Sequence, residues 1–166
     1  MTITTKQGDQ GISYWLNKAV PKDDLSLEAI GTIDELQSAL GIAKSEIEYG
    51  FLKNEIEIIQ KDLWLIAGSL AGYETAKKGS IDLGKRVKEM EVEIDAWERE
   101  LPVIREFALP GENKKEALIQ LCRSMSRRVE RRVVALSKRE KIDQKILPYL
   151  NRLSDFLFIL AYQIAR

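Results

Sequence analysis

No histidine occurs in these 166 residues. The commonest side-chain metal ligand and the usual general base are therefore missing, and any chemistry here runs without imidazole. A single cysteine, Cys122, cannot form an internal disulfide. Neither sign of charge is in excess: 26 basic and 26 acidic residues cancel. The global field thus advertises neither nucleic acid nor an anionic membrane, and any basic site has to be local. A net-neutral chain is also prone to self-association. No apolar run approaches the roughly 20 residues that a membrane span needs, and the opening MTITTKQGDQ has no hydrophobic signal core. The expected address is the cytoplasm, with no membrane partner. Strand-like alternation, fixed-period repeats and low-complexity tracts are missing as well.

What is present is helical periodicity. With 45% hydrophobic and 31% charged residues the chain is expected to bury one core as one domain, 1–166, with a polar glycine-bearing segment at 1–25 and a helical bundle over 26–166. Leu27, Ile30, Ile33, Leu36, Leu40 and Ile42 recur at helical spacing, with Ser26 as the expected N-cap. Leu52, Ile56, Ile59, Leu63, Ile66 and Leu70 repeat the pattern, and ETAKKGSIDLGK has the composition of a loop. Val87, Met90, Ile94 and Trp97 stripe a third amphipathic stretch that stops at Pro102. REFALPGEN reads as a turn ending in Asn113, the expected cap of a fourth helix, and Pro148 opens an apolar last one. The pattern predicts an all-α, five-helix antiparallel bundle of ferritin-like type. A di-iron reading of such a bundle fails at once, because those sites need Glu-x-x-His.

The stretch RSMSRRVERR, 123–132, holds five arginines and one glutamate. At about 100° per residue, Arg123, Arg127 and Arg131 form one ridge and Arg128 and Arg132 an adjacent one. Like charges at i, i+4 repel by a few tenths of a kcal/mol per pair, and Glu130 answers only part of that. Two readings stand: a solvated face answered by acids from neighbouring helices, or an anion clamp, since guanidinium forks match phosphate oxygens bidentately. Two more stretches bear on the choice. TTKQGDQGIS sets Gly8 and Gly11 around Asp9 with a lysine and hydroxyls nearby, suited to a loop whose amides face phosphate, or to an ordinary turn. In YLNRLSDFLF the polar Asn151, Arg152 and Asp155 interrupt an apolar helix, either as structural hydrogen-bonders or as the rim of a site.

Taken in order, GDQG, PKDD followed by EAIGTIDEL, FALPG, CRSMSRRVERRVVAL and YLNRLSDFLFILA resemble the ATP:cob(I)alamin adenosyltransferases of the PduO type. The resemblance covers every part of the chain except the second and third helices. It implies a homotrimer with active sites shared between subunits. It also implies transfer of the 5′-deoxyadenosyl group of ATP to the cobalt of reduced cobalamin or another corrinoid, releasing triphosphate, with no general base required. Thr5, Lys6, Gln7, Gly8, Asp9, Gly11, Ser13 and Lys22 would form one wall around the triphosphate. Arg127, Arg128, Glu130 and Arg131 would form the other, with Asn151 nearby. Mg²⁺ would be held chiefly by phosphate oxygens, with no dedicated side-chain ligands. Phe107 would press on the lower face of the corrin, and an Asp34–Arg123 salt bridge would cross the subunit interface, making these three the residues nearest the chemistry. The partners implied are ATP, cob(I)alamin or cob(II)alamin, a reductase and an adenosylcobalamin-dependent acceptor enzyme.

Several positions depart from the family pattern. Gln7-Gly8-Asp9 stands where Thr-Gly-Asp is usual, Ile12 follows Gly11, and YWLNKAVPKDD lacks the paired glycine and arginine often found before the lysine, which predicts a differently shaped loop. Gln37 and Glu112 replace an asparagine and a glycine. The alternatives are a helical nucleic-acid binder using the Arg123–Arg132 strip, opposed by zero net charge and the lack of a second basic element, and a non-catalytic structural bundle.

Overall fold

A computed structural model describes residues 4, 6–48, 50–73, 82–101 and 109–165. It opens with a two-stranded hairpin, β1 (Ile12–Trp15) and β2 (Lys18–Pro21). Five helices follow: α1 (Leu25–Glu46), α2 (Gly50–Leu70), α3 (Leu83–Glu100), α4 (Lys114–Ser137) and α5 (Ile146–Ile164). The hairpin overturns the expectation of no strand. Its strands are four residues each, with Ser13↔Val20 and Trp15↔Lys18 in register, too short for alternation to stand out.

Local chemistry sets the helix ends. α1 begins two residues earlier than the expected Ser26 cap allows, because Asp24 takes that role. Its carboxylate accepts from the Ser26 amide at 2.8 Å and from the Ser26 hydroxyl at 2.6 Å. An aspartate there satisfies an orphan amide and also complements the positive helix end. The carboxyl is held below its usual pKa, first by the Ser26 side chain and then by the Ser26 amide. Asn113 caps α4 as expected, accepting from the Glu116 amide at 2.9 Å. Glu116 reaches back to the Gly111 amide at 2.7 Å and the Glu112 amide at 3.2 Å, a capping-box arrangement. Pro148 lies inside the first turn of α5 rather than opening it, where its missing N–H costs nothing.

Contacts between helix ends give the directions. Asp24 meets Arg139, and Glu46 meets Lys114, so α1 and α4 are antiparallel. Asn113 donates to the Ile164 carbonyl at 3.0 Å, making α4 and α5 antiparallel. Asp82 with Lys145 and Glu91 with Arg152 set α3 parallel to α5. Ile33, Leu36, Leu40, Ile56, Ile59, Leu63, Ile119, Val129, Val133, Phe156 and Leu160 fill the interior. Ile42, placed on the core stripe by spacing, is 56% exposed instead. Its place on the stripe is taken by Ala43. None of the described helices is long and apolar enough to cross a membrane.

The interior also holds charge. Asp62 on α2 is fully buried and accepts from the Tyr149 hydroxyl at 2.9 Å and from Arg86 Nε at 3.0 Å. Burial pushes the Asp62 carboxyl up, against the pull of Arg86 and Tyr149. The Tyr149 phenol is raised by burial and then by the adjacent Asp62 charge. Burial disfavours the Arg86 cation, but the hydrogen bonds it donates to Glu89 and Asp62 outweigh that and its pKa rises. This cross-braces α2, α3 and α5 at one level.

Candidate active site

The arginines of α4 divide by partner. On the side facing α1, Arg128 pairs with Glu35 and Arg132 with Glu28, the latter at 2.8 Å. Here the acids of a neighbouring helix answer the charge run. On the side facing α5, Arg123 donates from Nε to Gln120 Oε1 at 2.7 Å and lies 5.9 Å from the centre of the Phe158 ring, a cation–π distance. Glu130 accepts from Asn151 Nδ2 at 3.1 Å. Arg127 and Arg131 stand between the two sides, exposed, and no ion pair or hydrogen bond reaches their guanidinium groups among the described residues.

Arg123 and Arg127 open onto a cleft of about 290 Å³ across the outer face of α5, which Arg152, Asp155, Phe158 and Glu98 also line. Arg152 is already engaged, by Glu91 at 3.0 Å and Asp155 at 2.7 Å. Arg127 therefore brings uncommitted positive charge to the cleft. An anion with several oxygens is the ligand that such a position stabilises.

The N-terminal loop is a second local assembly. Gly11 has φ +77, a conformation suited to glycine, and its carbonyl accepts from the Lys22 amide at 2.8 Å. Lys22 folds over Gly8 so closely that a Cβ at Gly8 would lie 2.8 Å from Nζ. The glycine loop and the lysine, eleven residues beyond Gly11, thus form one surface. Ser13 is half-buried in β1, and Lys6, Gln7 and Asp9 are exposed. Among the described residues, no hydrogen bond or ion pair joins this loop to Arg127, Arg128 or Arg131.

Reading α4 outward from the core, one helix face carries both structural and uncommitted arginines. A profile of the family described as Cobalamin adenosyltransferase matches residues 3–164. The chain belongs to that family. The Corrinoid adenosyltransferase of Bacillus subtilis (strain 168) is 41% identical over 165 residues, covering 97% of this chain and 85% of that protein. Corrinoid adenosyltransferase MMAB of Homo sapiens is 38% identical over 173 residues, covering 96% and 67%. Among solved structures, a variant PduO-type ATP:corrinoid adenosyltransferase from Lactobacillus reuteri, complexed with cobalamin and ATP, superposes with a TM-score of 0.87 at 32% identity. The match covers 96% of this chain and 91% of that one. An arginine-to-lysine variant of the Lactobacillus reuteri protein, complexed with ATP, reaches a TM-score of 0.89 at 32% identity, covering 98% and 94%.

Within this cobalamin adenosyltransferase family chain, the expected residues fall into groups. Gly8, Asp9, Gly11 and Lys22 are brought together; Arg127 and Arg131 are together on α4; Glu130 and Asn151 are joined. Arg128 is engaged by Glu35. Asp34 is exposed on α1 without an ion pair among the described residues, while Arg123 turns to Gln120 and Phe158. Thr5 and Phe107 lie outside the described residues. Sequence reasoning missed Gln120 and Phe158 as holders of Arg123. Their spacings from it, three residues before and on another helix, carry no distinguishing signal. Cys122 is buried, with its thiol pushed up to about 12 by desolvation, and so is not a nucleophile.

Proposed function

We propose that this chain transfers the 5′-deoxyadenosyl group of ATP to the cobalt of a reduced corrinoid, giving an adenosylcorrinoid and triphosphate. The observation that carries the reading is the pair Arg127 and Arg131, left without acidic partners on a helix whose other arginines are engaged. Identity with named corrinoid adenosyltransferases along nearly the whole chain supports it. So does likeness to a structure complexed with cobalamin and ATP.

In this reading the cobalt supplies the electron pair that forms the bond to C5′, and the C5′–O bond breaks with its pair remaining on triphosphate. The protein binds and orients, and its fixed cations stabilise the charge that develops on the leaving group. Arg127 and Arg131 grip phosphate oxygens, with Arg128 at the margin and the Glu130–Asn151 pair holding the helix face in place. Thr5, Lys6, Gln7, Gly8, Asp9, Gly11, Ser13 and Lys22 form the opposite wall, and Mg²⁺ arrives on the phosphate oxygens of ATP. No hydrogen bond or ion pair joins the two walls among the described residues, and in this reading the site is completed by a second subunit, in a homotrimer of ferritin-like bundles. Asp34 of one subunit pairs with Arg123 of the next, and Phe107 covers the lower corrin face. Residues 1–166 act as a single domain in the cytoplasm, receiving electrons from a reductase and passing product to an acceptor enzyme.

The test is anaerobic incubation of the protein with MgATP and chemically generated cob(I)alamin, followed by absorbance. Protein-dependent formation of a light-sensitive alkylcobalamin spectrum is expected. No turnover by folded protein with intact reduced corrinoid refutes the activity, and a monomer in sedimentation at working concentration refutes the shared site.

A further inference from the structure

The hairpin carrying the glycine loop is fastened at its far end. The Trp15 indole Nε1 donates to the Leu70 carbonyl at 2.8 Å, and the ring is only 8% exposed. Leu70 is the last residue of α2, so its carbonyl is one of those that a helix end leaves without a backbone donor. Beside it Gly72, at φ +83, has the Leu16 side chain where a Cβ would stand; any larger residue collides with Leu16 Cδ2.

The turn that presents Leu16 is itself unusual. Leu16 and Asn17 both have positive φ, 48° and 62°, as a two-residue turn of the primed type requires. Asparagine tolerates that region, whereas a bulky leucine there is an outlier. Contacts outside the turn hold it: the indole bond on one side and the Gly72 niche on the other. From this anchored turn the two strands run in register to Ile12 and Pro21. Immediately beyond, the Lys22 amide donates to Gly11, and the Lys22 side chain covers Gly8. Each four-residue strand spans about 13 Å and is paired with its partner along that length. A rotation at the turn is therefore delivered to the loop.

We infer that Trp15, Leu16 and Gly72 are positioning residues that set where the ATP-binding loop stands, using the C-terminal turn of α2 as the fixed point. The inference rests on the reading of residues 6–11 and Lys22 as an ATP wall. On this inference Trp15 and Leu16 act through the loop and not on the substrate itself.

Two variants test it from opposite directions. Trp15→Phe keeps an aromatic ring and deletes the N–H; Leu16→Gly makes the turn backbone easier while emptying the Gly72 niche. Adenosylation is followed with ATP varied at saturating cob(I)alamin, then with the corrinoid varied at saturating MgATP, alongside thermal melts. Losing one ordinary hydrogen bond's worth of fixing predicts a KM for ATP raised about three- to tenfold in Trp15→Phe. The kcat at saturating ATP stays within about twofold of the parent, and the corrinoid KM is unchanged. Leu16→Gly shifts the ATP KM in the same direction. An active parent with an unchanged ATP KM in both variants overturns the inference, as does a fall in kcat with ATP KM constant. An inactive parent is the distinct outcome that removes the ATP reading and the inference with it. Should Trp15→Phe fail to fold, Leu16→Gly decides alone.

Discussion

Replacing Arg127 by alanine separates binding from stability. Arg127 is exposed, has no ionic partner among the described residues, and is flanked at i−4 and i+4 by Arg123 and Arg131. Removing it deletes two like-charge pairs of about 0.2–0.5 kcal/mol each and introduces the best helix former. Urea unfolding is expected to show no loss of stability and a gain of up to about 1 kcal/mol. Binding behaves oppositely. A hydrogen bond to a charged group contributes about 1.5–3 kcal/mol, so losing the phosphate contact raises the KM for MgATP by about 10- to 150-fold. Arg132→Ala is the control. It breaks the Glu28 pair, at 2.8 Å with side chains 45% and 41% exposed, which costs at most about 1 kcal/mol and leaves the ATP KM unchanged. The assays are equilibrium denaturation and steady-state adenosylation on the same preparations. Equal KM changes in the two variants, or a destabilised Arg127→Ala with normal ATP use, would refute the division of the strip into structural and ligand-facing halves.

Three further perturbations follow from particular contacts. Gly8→Ala places a Cβ 2.8 Å from Lys22 Nζ, so the lysine swings off the loop; an ATP KM raised several-fold at unchanged melting temperature is expected, and an unchanged KM counts against Lys22 as a phosphate ligand. Tyr149→Phe removes the 2.9 Å hydrogen bond to Asp62, whose Oδ1 already lacks a partner. The expected cost is about 1–3 kcal/mol, or about 2–4 °C of melting temperature for each kcal/mol in a chain of this size, and a silent substitution would show that Asp62 does not depend on the phenol. Glu93 has its pKa raised above the ordinary 4.5 by burial first and then by Glu55. A raised native carboxyl binds its proton more tightly than the unfolded chain does, so its penalty is absent below the ordinary value and grows as pH rises through the native one. Glu93→Gln is therefore expected to stabilise the fold at neutral pH and to lose that advantage near pH 4; an equal effect at both pH values in denaturant titrations would contradict it.

The helices were legible because their burial is periodic. Ile56, Ile59, Leu63, Ile66 and Leu70 all lie in the core that their spacing predicts, and the Asn113 cap reads directly from its offset to Glu116. The hairpin was not legible, since its turn is Leu16-Asn17 rather than the glycine-bearing pair that usually announces one. Asp62 looks like any charge on an amphipathic helix; what makes it structural is Arg86 on α3 and Tyr149 on α5, 24 and 87 residues away. The arginine strip sits between these cases. Its charge is plain in the sequence, but which arginines are committed depends on Glu28 and Glu35 of α1, brought close only by antiparallel packing.

On the proposed reading, that uneven commitment links fold and function. A helix with five arginines in ten residues invites repulsion along its ridges, and complete neutralisation by neighbouring acids would leave nothing to hold a phosphate. Here α1 neutralises one edge, and Gln120 with Phe158 orders the Arg123 end without cancelling its charge. The residue best placed to cancel more, Glu130, is engaged by Asn151. What remains is positive charge at Arg127 and Arg131, carried on a packed helix and uncommitted to any acid among the described residues. On the proposed reading, these cations close on the phosphate oxygens when ATP binds and stabilise the charge that develops on the departing triphosphate. The missing imidazole is consistent with the same division of labour: a nucleophile carried by the corrinoid needs orientation and a stabilised leaving group from the protein, and no proton has to be removed.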